Sequence, residues 1–317
     1  MKTAGAGVSM FLLSTFVSIG CAPGTADAAR QEPPRVNADQ MLADVAFLAA
    51  DSLEGRLSGS RGNRVAREYI VERFSRLGLR AFGDSFAQSF VVDRGGADLE
   101  GANVVGYIEG STTASWSIVI TAHFDHLGVR GREIYNGADD NASGTAALLA
   151  MAEYFTEHSP RHTLVFAAVD AEEGGLQGSR ALVEHSPLDL AHVALNVNLD
   201  MISHNERELY VAGTHHYRFL RDYVEVVKAR TEIDLLIGHD RPELGNDDWT
   251  GSSDHAPFHR RQIPFLYFGV EDHPDYHRPT DVFENINTDF YVQAAGAILD
   301  VLLELDRDLA AVIGARR

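Results

Sequence analysis

Five residues with metal-binding side chains stand in order along the chain. They are His123 in "TAHFDH", Asp139 in "NGADDNASG", Glu173 in "DAEEGG", Asp200 in "NVNLDM" and His277 in "DYHRPTD". Imidazole and carboxylate together suit zinc. Two histidines and three carboxylates can hold two divalent ions if one carboxylate bridges them, and two ions about 3.5–4 Å apart form a clamp for hydrolysis. Asp139 is the expected bridge. Its neighbour Asp140 repeats the charge, and adjacent like charges become tolerable beside a divalent cation. Asp140 is then left to cap the following helix or to support the site from behind. Glu172 and Glu173 are adjacent at a turn and cannot share a role. Glu173 is expected to bind metal, and Glu172 to act as the general base that moves a proton from water to the leaving amine. Asp125, two residues beyond His123, can hold the far imidazole N–H and set its tautomer.

Each motif alone has a plainer reading: a strand-end histidine, a helix cap, a solvated pair of glutamates. Their order at the ends of successive strands is what points to metal. The remaining histidines carry less. His126, His158, His162, His185, His192, His204, His215, His216 and His259 read as surface or core-edge residues. His239 and His273 read as non-ligands, and His255 in "GSSDHAPF" as a residue bordering the pocket.

The elements that must position these groups are legible. Ala102–Gly110, Trp116–Asp125, His162–Glu173, Val193–Met201 and Ile263–Val270 are apolar, β-branched runs bounded mostly by turn residues. Helical patterns lie between several of them, over Ala142–His158, Leu176–His185 and Tyr217–Arg230, with a last helix over about Asn287–Val312. Two more precede the strands, Asn37–Ala50 behind a capping asparagine and Ser60–Gly78 with glycine at its end. Apolar strands alternating with helices predict an α/β fold with a mostly parallel mixed sheet covered on both faces. Ligand-binding side chains in such a sheet collect at the carboxyl ends of the strands.

The 317 residues carry a formal net charge of -19, which argues against a nucleic-acid partner. Lys2 followed by the apolar run Val8–Gly20 reads as a signal peptide over residues 1–20. "SIGC" places Cys21, the single cysteine, as a lipidation site and so a membrane tether, although Ser18 stands where leucine is usual; "ADA" at Ala26–Ala28 is a competing cleavage site for plain secretion. Residues 21–36 read as a flexible tether and 37–317 as one domain. The chain is therefore expected outside the cytoplasm, on the periplasmic side of a bacterial membrane or secreted. One cysteine allows no internal disulfide.

Taken together, "TAHFDHLG", "NGADDNASGTAALL", "DAEEGGLQGS", "NLDM", "SSDHAPF" and "HPDYHRPTD" resemble the bacterial co-catalytic di-zinc aminopeptidases, a superfamily that also holds glutamate carboxypeptidase II and the glutaminyl cyclases. The resemblance runs from about Asn37 to the end. It implies a three-layer α/β/α sandwich of the phosphorylase/hydrolase-like zinc-peptidase type. It implies two zinc ions, one on His123 and Asp200, the other on Glu173 and His277, with Asp139 between them. It also implies a cis peptide between Asp139 and Asp140, Glu172 as base, and Tyr276 as a stabiliser of the tetrahedral oxyanion. Two features of some relatives are missing: a protease-associated insertion, for which Asp93–Gly101 leaves no room, and the disulfide cysteines. The expected activity is that of an exported, monomeric aminopeptidase acting on peptides with a free amino terminus. A carboxypeptidase would need a basic pocket, for which arginines between Arg207 and Arg241 are available. A glutaminyl cyclase would work with one zinc, and a binding module would have no use for Glu172.

Overall fold

The computed structural model describes residues 1–5, 36–112, 115–185 and 188–316. The apolar run Val8–Gly20, Cys21 and the "ADA" site lie outside the described residues. The chain divides into Met1–Glu32 and Pro33–Arg317, and the architecture below is that of the second unit.

Its strands are β1 (Arg80–Ala81), β2 (Ala87–Asp93), β3 (Asp98–Ile108), β4 (Ser117–His123), β5 (Gly128–Arg130), β6 (Glu133–Tyr135), β7 (Thr163–Val169), β8 (Val193–Leu199), β9 (Glu208–Ala212), β10 (Asp234–Ile237) and β11 (Phe265–Gly269). Its helices are α1 (Ala38–Leu48), α2 (Arg61–Leu77), α3 (Gly144–Glu157), α4 (Gln177–His185), α5 (Arg221–Lys228), α6 (His255–Arg260), α7 (Thr288–Arg307) and α8 (Leu309–Ala315). Among the described residues the main sheet has nine strands in the order β1-β3-β7-β4-β8-β11-β9-β10, with β2 paired to β3. The central strands β7, β4, β8 and β11 are parallel. Antiparallel pairing enters on both sides, where β3 meets β7 and where β11 meets β9. β5 and β6 form a small hairpin.

Alternation along the central strands explains the layers. Ile118, Ile120 and Ala122 of β4 enter one core with residues of α1, α2, α3 and α7. Val119, one step out of phase, enters a second core with Leu182 and Val183 of α4 and Phe258 of α6. A strand whose two faces are both buried cannot alternate apolar with polar, so it reads as an unbroken apolar run. The expected three-layer arrangement follows.

The helix ends follow local chemistry. Asn37 caps α1 by accepting the Gln40 N–H, and Ser60 caps α2 by accepting that of Asn63 at 3.1 Å. Gly78 closes α2 with φ +76. The last helix, expected unbroken to Val312, is divided at Asp308 (φ −120), whose carboxylate accepts the Tyr223 hydroxyl of α5 at 3.0 Å.

Candidate metal centre

Because the central strands are parallel, the loops after them open on one edge. His123 ends β4, Glu172 and Glu173 follow β7, Asp200 follows β8, and Tyr276 and His277 lie in the loop after β11. Asp140 enters from the helical turn Ala138–Ser143 ahead of α3. These side chains, with Leu176, Met201, Gly251 and Ser252, line a cavity of about 270 Å³.

The distances divide the polar groups into two sets that share one residue. Asp140 Oδ1 lies 3.4 Å from His123 Nε2, which is 3.2 Å from Asp200 Oδ1. Asp140 Oδ2 lies 3.1 Å from His277 Nε2, which is 3.6 Å from Glu173 Oε2. The two oxygens of one carboxylate thus face two different donor sets.

This corrects the expectation for the aspartate pair: Asp139 is turned away from the cavity. Its Oδ1 accepts the Ser203 N–H and hydroxyl, both at 2.7 Å, and its Oδ2 lies 3.1 Å from His273 Nε2. Both neighbouring backbone N–H groups are held by Asp281, whose carboxylate accepts those of Asp139 (2.8 Å) and Asp140 (3.1 Å). The cis peptide falls one position later than expected, between Asp140 and Asn141. Asn141 then joins β8 to α3: its amide donates to Leu199 O at 2.9 Å, and its Oδ1 accepts from Gly144 and Met201. A Cβ on Gly144 would sit 2.4 Å from both Leu199 O and Asn141 Oδ1, so only glycine starts α3 here.

Asp125 also acts differently from expectation. Its carbonyl oxygen, 3.2 Å from His123 Nδ1, is the group placed to fix the imidazole, while its carboxylate oxygens lie no nearer than 3.8 Å. The carboxylate instead accepts the Glu172 backbone N–H at 3.0 Å and the Ser58 hydroxyl at 3.2 Å. Ser58 also reaches Asp170 at 2.8 Å, and burial with the neighbouring Asp170 charge raises the Asp125 carboxyl well above the usual range.

Sequence reasoning missed two residues. His126, expected at the surface or core edge, is fully buried, with Nδ1 2.7 Å from Glu173 Oε1 but off the line of a hydrogen bond. The only local signal was its place in "HFDH", one residue past Asp125. Arg56 is also fully buried. A turn with positive φ at Glu54, Gly55 and Arg56 drives it inward, and a Cβ on Gly55 would lie 2.2 Å from Tyr135 O. Its guanidinium donates to Phe124 O (2.7 Å), Leu48 O (2.5 Å), Asn136 O (2.6 Å) and Gly137 O (2.9 Å). It thereby holds the backbones that lead away from His123 and into Asp140. Burial pushes this guanidinium down to about 10, against the charges of Asp281, Asp125, Asp140 and Glu173.

The electrostatics follow from burial and crowding. Burial raises Glu172 well above the usual carboxylate range; His123 opposes this, and Asp254, Asp200 and Glu173 add to it. Burial works the same way on Glu173, but His126, His277 and His123 outweigh it and hold that carboxyl well below the usual range. Burial likewise disfavours charge on His123, yet Asp200 and Glu172 raise it well above its ordinary value. Burial raises the Tyr276 phenol too, with Asp140 and Asp200 adding to it, so it stays protonated as a donor.

Residues 103–302 match the family model described as peptidase family M28. The chain belongs to this family. Among curated relatives, aminopeptidase YwaD of Bacillus subtilis is 32% identical over 200 residues, covering 59% of this chain and 40% of that protein. A probable zinc metalloprotease of Pyrenophora tritici-repentis is 29% identical over 170 residues, covering 50% and 34%. The chain thus spans about 40% or less of the length of these two relatives. Of solved structures, the zinc aminopeptidase BSAP of Bacillus subtilis superposes with TM-score 0.71 at 18% identity, over 86% of this chain and 96% of that one. A Zn-dependent exopeptidase of Parabacteroides distasonis gives 0.68 at 20%, over 86% and 99%. At these identities the likeness shows that the fold is shared.

Proposed function

We propose that the chain is a zinc aminopeptidase that uses two ions to hydrolyse the first peptide bond of peptides. The observation that carries this reading is the placement of Asp140, with one oxygen toward His123 and Asp200 and the other toward Glu173 and His277. The donor set fits divalent zinc. Asp140, Glu172, Glu173 and Asp200 share a cavity whose described lining has no Lys or Arg, and Glu173 Oε1 is buried without a hydrogen bond. Four carboxylates so confined need a cation to neutralise them. His123, Asp200 and Asp140 would hold one ion, and Asp140, Glu173 and His277 the other. The chemistry such ions would supply there is polarisation of a carbonyl and activation of water near neutral pH.

The chain's own residues supply the rest. Glu172 lines the cavity and takes the proton from the attacking water, then delivers it to the leaving nitrogen. The Tyr276 hydroxyl donates to the substrate carbonyl oxygen as negative charge builds on it. His126 and Arg56 hold Glu173 and the loop backbones in place from behind. The acidic lining favours a substrate ammonium, and a cavity this small suits one residue at a chain end. The same lining disfavours a carboxypeptidase, whose substrate ends in a carboxylate. YwaD, named an aminopeptidase, supports the choice. We also propose export, supported by the apolar run after Lys2. Among the described residues, no helix is long and apolar enough to cross a membrane.

The deciding experiment is hydrolysis of aminoacyl anilides with free and acetylated amines, before and after chelation and zinc return. Cleavage of the free-amine set alone, lost with chelator and restored by zinc, is expected. Equal cleavage of the acetylated set would overturn the assignment.

A further inference from the structure

The turn Trp249–Gly251 and the residue after it bring Gly251 and Ser252 into the cavity wall. This stretch is pinned along its length. The Asp248 carboxylate accepts the Thr250 N–H at 3.1 Å. The Trp249 ring lies flat on His239, with centroids 3.7 Å apart, and the Trp249 carbonyl oxygen accepts from His255 Nε2 at 2.9 Å. The Thr250 hydroxyl meets His216 Nε2 at 3.0 Å. Past Ser252, the Ser253 hydroxyl accepts the Asn198 amide of β8 at 2.9 Å. The wall is thus held in place by the neighbours of Gly251.

Neither backbone nor packing requires glycine at 251. Its φ lies outside the left-handed region, and a Cβ added there would meet no atom within 4 Å. Gly175, which also lines the cavity, differs: its φ of +94 is one that residues with side chains rarely adopt. Where the backbone suits any residue, alanine in place of glycine stabilises a protein by restricting the unfolded chain. Keeping glycine at 251 therefore gives up stability, as working sites often do. We propose that Gly251 is a specificity-determining residue of the cavity: given the peptidase reading above, the room left by its missing side chain admits a large first residue of the substrate. The proposed metal donors and Glu172 occupy the charged part of the lining. Among the residues left to receive a side chain are apolar Leu176 and Met201 and small Gly251 and Ser252. An apolar substrate side chain buries against the first two, and Gly251 decides how large it can be. The plainer alternative is that a side chain at 251 would turn to bulk water and leave the cavity's size unchanged.

The two are separated by assaying the zinc-loaded full chain on the anilides of alanine, leucine and phenylalanine. Gly251→Val should lower kcat/KM for the phenylalanine anilide at least about 10-fold more than for the alanine anilide, mainly through KM, the selectivity that a methylene or two commands in an apolar pocket. Gly251→Ala should fall between the valine variant and the wild type, with a melting temperature equal to or above the wild type's. It replaces the valine variant if that chain does not fold. An unchanged phenylalanine-to-alanine ratio in the folded variants, or an equal loss on all three anilides, overturns the proposal. The hydroxamates of alanine and phenylalanine, titrated into each protein in a calorimeter, report the same ratio without hydrolysis. A wild type that cleaves no anilide would sink the aminopeptidase reading, and the hydroxamate ratio would still decide the role of Gly251.

Discussion

The Asp125 carboxylate accepts the backbone N–H of Glu172 at 3.0 Å, while the carbonyl oxygen of the same residue lies 3.2 Å from His123 Nδ1. One residue therefore ties the strand end that carries a proposed metal donor to the turn that carries the proposed base. Outer partners of this kind typically contribute 10–100-fold to metal affinity or activity. Asp125→Ala should lower kcat by about 10-fold or more, with zinc content and KM little changed, and Asp125→Asn should recover part of the loss. If kcat holds steady while zinc is lost, Asp125 serves the metal and not the base.

Glu172 is expected to carry the proton and no metal. Glu172→Gln preserves its shape and removes the basic oxygen. Elemental analysis should find zinc retained while turnover falls at least about 100-fold. Normal turnover in this variant would refute the assignment.

The aspartate pair offers a sharp contrast. Asp140→Asn should strip zinc from the cavity, because both donor sets share that carboxylate. Asp139→Asn should keep the cavity's zinc, because its carboxylate is occupied by Ser203 and His273. The reverse pattern in elemental analysis would restore Asp139 as the bridge.

Arg56 tests the support beneath the site. Arg56→Met takes the guanidinium donors away from four buried carbonyl oxygens, of which Gly137 O keeps the Ala142 N–H, and removes a cation from among Asp281, Asp125, Asp140 and Glu173. Loss of one partner from such a buried set typically costs about 3–5 kcal/mol. Thermal unfolding should therefore shift down by roughly 6 °C or more. A shift below 2 °C would mean that water replaces the guanidinium.

The sequence shows the central sheet well because its strands are apolar on both faces: the runs behind β3, β4, β7, β8 and β11 needed no partner to be seen. β9 and β10 are short, and β10 stands at the sheet edge with Asp234 exposed, so neither made a run long enough to read. Most of the site was legible for the same reason, since His123, Glu172, Glu173 and Asp200 stand directly after such runs. The choice between Asp139 and Asp140 was not. It depends on Ser203 and His273, 64 and 134 residues further on, which occupy one carboxylate and leave the other to the cavity. His126 was not read because its place in "HFDH" does not by itself say that the loop after β4 turns it inward.

Asp281 grips the Asp139–Asp140 turn from 142 and 141 residues downstream, close to His277, which closes the other side of the cavity. Synthesis must therefore pass Asp281 before this turn can be gripped, and a chain cut ahead of His277 would leave the proposed second ion without one of its donors.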